Sequence, residues 1–171
     1  HHIGMHHPEN NLKDDLSSTM CYQRDSFLAF AHYFVKFYFL GLFELSAYHH
    51  KRGRKKLFWR TVTGESAFYL LATALLFVDW RASLAVFFIP ITLTRFLMMA
   101  GNWGQHAFIA AGAEDNCYVN SITCINTPYN HKSWNDGYHI GHHIKPNRHW
   151  TDMSSDFLAN LDRYAQEDSL V

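Results

Sequence analysis

The chain has 171 residues, enough for one domain, with 15 basic and 15 acidic side chains and a formal net charge of zero. This balance excludes the basic field of a nucleic-acid-binding protein and the acidic excess of a solvating tail, so no nucleic-acid partner is expected. The composition is unusual in its 13 histidines and its 16% of aromatic residues. The three cysteines lack Cys-x-x-Cys spacing, which favours a reducing compartment over a disulfide framework.

The first segment, HHIGMHHPENN, contains four histidines within seven residues. On a regular helix His2 and His6 share one face, while His7 points about 100° away. We therefore expect His2 and His6 to serve one metal ion and His7 a neighbouring ion. The remnant of an affinity tag is the alternative for His1 and His2, but it does not account for the other two histidines.

Three apolar blocks follow, at residues 26–48, 65–80 and 82–101. A bilayer core of about 30 Å needs roughly 20 helical residues. The third block meets that length, as does the second when it is extended toward its N-terminal side. A short polar tip containing a tryptophan separates them, so the pair predicts a transmembrane hairpin. A buried hairpin of a soluble protein is the alternative, because Pro90 and Arg95 interrupt the third block.

The first block has a polar stripe, since His32, Lys36 and Glu44 recur at multiples of four residues. Such a pattern predicts an amphipathic helix that lies in the membrane interface. The basic run KRGRKK at 51–56 then indicates the cytoplasmic face, with a docking patch for anionic lipid or a protein partner as the alternative. Two crossings would return both histidine-rich ends of the chain to one side, whereas three crossings would separate them.

Two further histidine segments follow the hairpin, NWGQH and NDGYHIGHHIKP. Asn102 and His106 are four residues apart at the end of the last spanning block. His139, His142 and His143 have i, i+3, i+4 spacing, which places all three imidazoles on one face of a helix. Candidate ends of that helix are a cap at residue 135 or 136 and a stop at the proline at 146.

These histidines predict a metal site with more than one ion. Seven imidazoles in three groups exceed what one zinc ion needs, and no cysteine lies near them. Imidazole suits iron, copper, nickel and zinc alike. Two redox ions beside a membrane point to oxygen chemistry on unactivated C–H bonds of a lipid chain, whereas a zinc carrier or sensor is the alternative from another functional class. Nearby carboxylates are candidates to orient the imidazoles by accepting their second N–H, or are simply solvated or capping groups: Glu9, Asp14, Asp15 and Asp136. His149 is a candidate for a similar supporting position, with a surface role as the alternative.

The histidine phrases resemble the motifs of the membrane fatty acid desaturase and hydroxylase superfamily. HIGMHH resembles its second histidine box, HIGHH its third box, and NWGQH its Asn-x-x-x-His element. The resemblance spans 1–171 and implies a partial desaturase-like domain, without the first histidine box and the membrane helices that precede it in the family.

This resemblance implies an all-α integral membrane protein with a transmembrane helix hairpin, an interfacial amphipathic helix and a cytoplasmic histidine-rich cap. It implies two iron ions, dioxygen as co-substrate, an acyl lipid or acyl-CoA substrate, and electrons from a b-type cytochrome or a ferredoxin. Desaturation is the first expectation and hydroxylation the alternative. The expected membrane is the endoplasmic reticulum or plastid in a eukaryote and the inner membrane in a bacterium. The implied metal ligands are His2, His6, His7, Asn102, His106, His139, His142 and His143.

Overall fold

The computed structural model describes residues 1–109 and 116–167, and all the regular elements among them are helical. The predicted all-α class is therefore confirmed. In chain order the elements are a π-helical turn at His2–His6, α1 (His7–Glu9), α2 (Phe27–Lys51), α3 (Lys55–Leu76), α4 (Trp80–Ser83), a second π-helical turn at Leu84–Phe88, α5 (Ile89–His106), α6 (Pro128–Lys132), α7 (His139–Ile144), a 3-10 turn at Trp150–Asp152, α8 (Met153–Ala159) and α9 (Leu161–Gln166).

The chain divides into two compact units. One comprises His1 and Phe27–Gly101, and the other comprises His2–Ser26 and the chain from Asn102 onward. The second unit contains all the residues that the sequence identifies as metal ligands.

The first unit consists of long helices that pack against one another through a few polar contacts. The Tyr38 hydroxyl of α2 lies 2.8 Å from the Thr92 hydroxyl of α5. The Arg95 guanidinium donates to the Glu65 carboxylate of α3 at 2.5 Å. These contacts give polar side chains in apolar helices a partner inside the unit, as a membrane environment requires.

Large apolar side chains of the first unit are exposed, including Phe27 at 77%, Leu70 at 72% and Phe77 at 90%. Two helices are long and apolar enough to cross a membrane, Phe27–Lys51 and the continuous helix Trp80–His106. Both are covered by the protein over only a small part of their length. Such surfaces are unfavourable in water and suit a lipid environment.

The number of spanning helices agrees with the sequence prediction, but their identity differs. The first block was expected to be interfacial, yet α2 qualifies as a candidate span by length and composition. Two charges of its polar stripe pair with each other, with Lys36 Nζ 3.3 Å from Glu44 Oε1. The second block was expected to span, yet α3 is not among the qualifying helices of the described chain. Its first half carries two lysines, an arginine and a glutamate, which lower its hydropathy.

The second unit has a small apolar core beneath α7. Ile140, Phe157 and Tyr164 are buried together. Burial of the Ile140 side chain fixes which face of α7 lies against this core. His139 is the preceding residue, so the same packing also fixes the direction of its side chain. Three further side chains pack against this cluster: Tyr118, Ile125 and Tyr138.

A close backbone approach sets the start of α7. The Gly137 carbonyl accepts from the Cys124 N–H at 2.9 Å, and the Gly137 N–H donates to Asn130 Oδ1 at 3.0 Å. A methyl group on residue 137 would collide with the Cys124 carbonyl oxygen and with Asn130. Glycine is therefore required here by space rather than by backbone conformation.

The predicted ends of α7 are partly wrong. Tyr138 occupies the N-cap position and no side chain caps the helix, so neither Asn135 nor Asp136 has the predicted capping role. The Asp136 carboxylate instead accepts from Gln105. The helix ends at Ile144, two residues before the proline, as the sequence predicts.

Candidate metal centre

Four histidines from three segments converge in the interior of the second unit. We call His6, His106, His139 and His143 the buried histidine group; all four side chains are buried. Their Nε2 atoms approach one another in a chain, at 3.2 Å between His6 and His106, 3.1 Å between His106 and His139, and 3.1 Å between His139 and His143.

The remaining three predicted histidines form a second group. His2, His7 and His142, the outer histidine group, are more exposed, and their ligand atoms also lie within 4.8 Å of one another. His7 Nε2 is 3.0 Å from His142 Nε2. The two groups are adjacent, since the ring centroids of His7 and His143 are 4.6 Å apart. All seven histidines that the sequence identifies are thus brought together.

The grouping at the start of the chain differs from the prediction. His2 was expected to share an ion with His6, but His2 belongs with His7. The reason is that His2–His6 is a π-helical turn rather than an α-helical one. A π-helical turn is wider than an α-helical one, so residue i lies between i+4 and i+5. The ring centroid of His2 is 4.6 Å from that of His7 and 5.6 Å from that of His6.

Helix α7 supplies both groups from a single turn. His139 and His143 are four residues apart and enter the buried group, while His142 enters the outer group. The i, i+3, i+4 spacing therefore has the predicted effect of presenting three imidazoles along one side of the helix.

Fixed acceptors set the tautomers of two buried imidazoles. His106 Nδ1 lies 2.6 Å from the Asn120 carbonyl oxygen, and His6 Nδ1 lies 2.6 Å from Asp15 Oδ2. A carbonyl and a carboxylate only accept, so both Nδ1 atoms carry the proton. In the neutral rings the lone pairs are then on the Nε2 atoms, which face each other inside the group.

Asp15 is itself held rigidly. Its Oδ2 also accepts from the Asn11 N–H at 2.9 Å, and its Oδ1 accepts from the Ser17 N–H at 2.8 Å and the Ser17 hydroxyl at 2.7 Å. Of the four carboxylates that the sequence proposes as supports, Asp15 and Asp136 lie beside buried imidazoles. The Asn120 carbonyl had no signal in the sequence, because a backbone oxygen is available at every residue.

Burial favours the neutral form of several of these imidazoles. It lowers the pKa of His2 to about 4 and that of His7 to about 3, and the neighbouring imidazoles add to the effect. Burial is also the main cause that lowers the pKa values of His139, His142 and His143. Neutral imidazole is the form that binds metal.

The donor set fits metal ions. Imidazole ligands about 2.1 Å from an ion place neighbouring nitrogens about 3.0 Å apart at right angles and about 3.4 Å apart at the tetrahedral angle. The closest Nε2 separations, 3.0 to 3.2 Å, lie in this range. Both groups consist of histidine alone, without a thiolate or a carboxylate.

Asn102 lies beside the centre rather than in a histidine group. Its Nδ2 donates to the Ser17 carbonyl at 3.0 Å. The Ser17 hydroxyl oxygen is in turn 3.2 Å from His6 Nδ1. Ligation by Asn102 therefore stays a prediction, while its described contact supports the segment that carries Asp15.

His149 has a surface role. Its Nδ1 lies 2.7 Å from the Thr151 hydroxyl, and the ring caps the 3-10 turn that follows. Together with His142 it lines a cleft of about 720 Å³ beside the outer group. Among the described residues, six histidines belong to neither group: His1, His32, His49, His50, His131 and His149.

Comparison with protein families identifies the chain. The fatty acid desaturase family model matches residues 1–166. The chain belongs to the fatty acid desaturase family. No characterised protein and no solved structure gives a significant match. The family consists of metal-dependent oxidoreductases of membranes that act on lipid. The histidine groups and the two candidate spanning helices agree with these properties. This desaturase-family chain is therefore an integral membrane protein that acts on lipid.

Proposed function

We propose that this chain carries the di-iron centre of an oxygen-dependent acyl-lipid desaturase. The observation that supports the proposal is the adjacency of two all-histidine groups, with His7 of one and His143 of the other at a centroid distance of 4.6 Å. One group alone would suit a single ion, whereas two touching groups suit the paired ions of oxygen chemistry. When bound, the irons supply the reduction of dioxygen and the removal of two hydrogens from the acyl chain.

The overall reaction balances with an external donor. A CH₂–CH₂ unit, O₂, two electrons and two protons give CH=CH and two water molecules. The two electrons have to come from a redox partner, for which a b-type cytochrome or a ferredoxin is the proposed class. The acyl substrate reaches the centre as a lipid or a CoA ester, and the spanning helices hold the chain in the membrane that contains it.

The protein residues have three tasks in this proposal. Neutral imidazoles bind the ions, with the buried group holding one and the outer group the other. The acceptors on His6 and His106 fix the direction of their Nε2 lone pairs. Burial of the inner group excludes water from one side of the reacting centre.

The decisive experiment compares lipids made by a host that expresses the protein with those made by a His142→Ala variant. His131→Ala is the matched control, because it removes an exposed imidazole of α6 outside both groups. The proposal expects new double bonds with the parent and with the control, and their loss in His142→Ala. Hydroxylated acyl chains instead would favour the hydroxylase alternative.

Metal analysis tests the proposal separately. The purified protein is expected to contain about two irons per chain and to consume oxygen when reduced in the presence of acyl substrate. Stoichiometric zinc without iron or oxygen consumption would refute the enzyme and favour the carrier or sensor.

A further inference from the structure

Two residues that do not belong to the buried histidine group hold the Asp136 carboxylate by hydrogen bonds. Its Oδ2 accepts from Gln105 Nε2 at 2.8 Å and also from the Tyr129 hydroxyl. Gln105 Nε2 is in addition 3.3 Å from the Tyr129 hydroxyl oxygen and 3.4 Å from the Asp136 carbonyl oxygen. Two donors on one oxygen leave the carboxylate little rotational freedom and direct its other oxygen elsewhere.

That other oxygen faces a buried ligand. Asp136 Oδ1 lies 3.9 Å from Nδ1 of His139, which is within ion-pair distance. His139 Nδ1 is buried and makes no hydrogen bond to the residues that the structure describes. Its Nε2 lies within the buried group, 3.1 Å from the Nε2 atoms of His106 and His143. The carboxylate is therefore a charged group within ion-pair distance of the outward side of this imidazole.

The three residues of this hydrogen-bond network come from three different segments. Gln105 immediately precedes His106 in α5, Tyr129 is in α6, and Asp136 is in the turn that leads into α7. The network thus ties the segment that carries His106 to the segment that carries His139. The hydroxyl of Tyr129, whose side chain is 42% exposed, closes the network at the surface of the unit.

We propose that Tyr129 and Gln105 are positioning residues, which hold the Asp136 carboxylate against His139 and so raise the affinity of the buried histidine group for its metal ion. This inference rests on the proposed metal centre and adds two residues that are not themselves predicted metal ligands. A metal ion draws electron density from its imidazole ligand, and a fixed carboxylate at Nδ1 stabilises the resulting positive charge. Without the two donors the carboxylate can turn toward solvent.

The test measures metal affinity in purified full chain, with Co²⁺ as the probe and its visible absorption as the signal. The variants are Tyr129→Phe, Gln105→Met and Asp136→Ala, with the double variant Tyr129→Phe/Asp136→Ala. Tyr118→Phe is the matched control, because it removes the hydroxyl of a tyrosine whose ring packs in the apolar core.

Loss of a group that orients a ligand typically weakens metal binding by 10- to 100-fold. We expect Asp136→Ala to lose about tenfold or more, and Tyr129→Phe and Gln105→Met to lose several-fold, with an altered absorption spectrum of the bound ion. Tyr129→Phe should have no further effect in the Asp136→Ala background, because it acts only through that carboxylate. The control should bind as the parent does.

Parent-like affinity of Tyr129→Phe and Gln105→Met would overturn the inference and leave the proposed metal centre intact. An equal loss caused by Tyr129→Phe in both backgrounds would also overturn it, since the hydroxyl would then act by another route. Failure of the parent protein itself to bind Co²⁺ would refute the metal centre and the inference with it. Thermal midpoints of the metal-free variants check that the fold is unchanged.

Discussion

Replacing Asp15 by asparagine tests how the chain orients His6. The Asp15 side chain is buried, and its two oxygens accept four hydrogen bonds, from the His6 ring, the Asn11 N–H, and the N–H and hydroxyl of Ser17. Asparagine has nearly the same shape but replaces one acceptor oxygen by an NH₂ group. The substitution therefore changes hydrogen bonding and charge at nearly constant volume.

The size of the effect follows from where the NH₂ group goes. If it replaces Oδ2, it faces two N–H donors, and His6 keeps a good contact only by moving its proton to Nε2, which removes the metal-binding lone pair. If it replaces Oδ1, the Ser17 hydroxyl can turn to accept from it, and only the Ser17 N–H loses its acceptor. The second arrangement costs about 1–3 kcal/mol of folding stability, the usual cost of an unmatched buried donor.

In either arrangement His6 loses its charged acceptor, so metal affinity should fall about 10- to 100-fold. The assays are chemical unfolding of the metal-free chain in detergent and competitive metal titration. Asp14→Asn is the matched control, because it removes the same charge from the exposed neighbouring position. Parent-like metal affinity of Asp15→Asn would refute the assigned role of Asp15. An equal loss of metal affinity in Asp14→Asn would show that the effect comes from the removal of a negative charge and not from the contact with His6.

Three further predictions follow from burial and packing. The metal-free chain should lose stability as the pH falls below about 6.5, the ordinary pKa of histidine in an unfolded chain. In the folded chain the pKa values of His2 and His7 are about 4 and about 3, so the unfolded chain binds more protons in this range. Equal unfolding midpoints at pH 7 and pH 4.5 would contradict this. Gly137→Ala should destabilise the second unit strongly, because the new methyl group would collide with a backbone carbonyl oxygen. Gly104→Ala should stabilise the protein by up to about 1 kcal/mol, because Gly104 is in a helix and has open space around it. Chemical unfolding curves measure both changes. Ile140→Ala should cost about 2–5 kcal/mol, because this side chain is fully buried in the core beneath α7, and a cost near zero by the same measurement would show that the core is not cooperative.

Local spacing predicts which histidines belong to the metal centre, but it does not predict how they divide into two groups. The seven histidines are recognisable because their spacings repeat the turn of a helix. Their division depends on a π-helical turn at His2–His6, whose greater width brings the His2 ring closer to His7 than to His6. Histidine spacing alone does not distinguish a π-helical turn from an α-helical one, so the sequence predicted the wrong partner for His2.

The supporting contacts were harder to predict for a different reason. Asp15 and Asp136 were candidates among four carboxylates, but their selection depends on tertiary contacts with His6 and His139. Gln105 and Tyr129 had no signal at all, since they are 31 and 7 residues from their shared partner Asp136 and share no helix with it. Periodicity identifies which face of a helix is buried, whereas it carries no information about which side chains meet across segments.

The membrane assignment shows the limit of reading hydropathy by blocks. The chain between His6 and His106 must begin and end on one side of a membrane, because their Nε2 atoms are 3.2 Å apart. It therefore crosses an even number of times. Two qualifying helices satisfy this condition, although one of them is the block predicted to be interfacial. The polar stripe of α2 suggested an interfacial position, whereas the length and mean hydropathy of the whole helix make it a candidate span.

The proton positions of two buried imidazoles favour a bound metal ion, as the family membership of the chain does. The Asn120 carbonyl and the Asp15 carboxylate cannot donate, so they fix the ring protons of His106 and His6 on Nδ1. The two Nε2 atoms face each other at 3.2 Å in a buried space. Where both Nε2 atoms present lone pairs, they repel in this arrangement, whereas a cation between them would turn the repulsion into ligation. The acceptors that fix these ring protons therefore favour a bound cation, which is why Asp15→Asn should lower the affinity for metal as well as the stability of the metal-free fold.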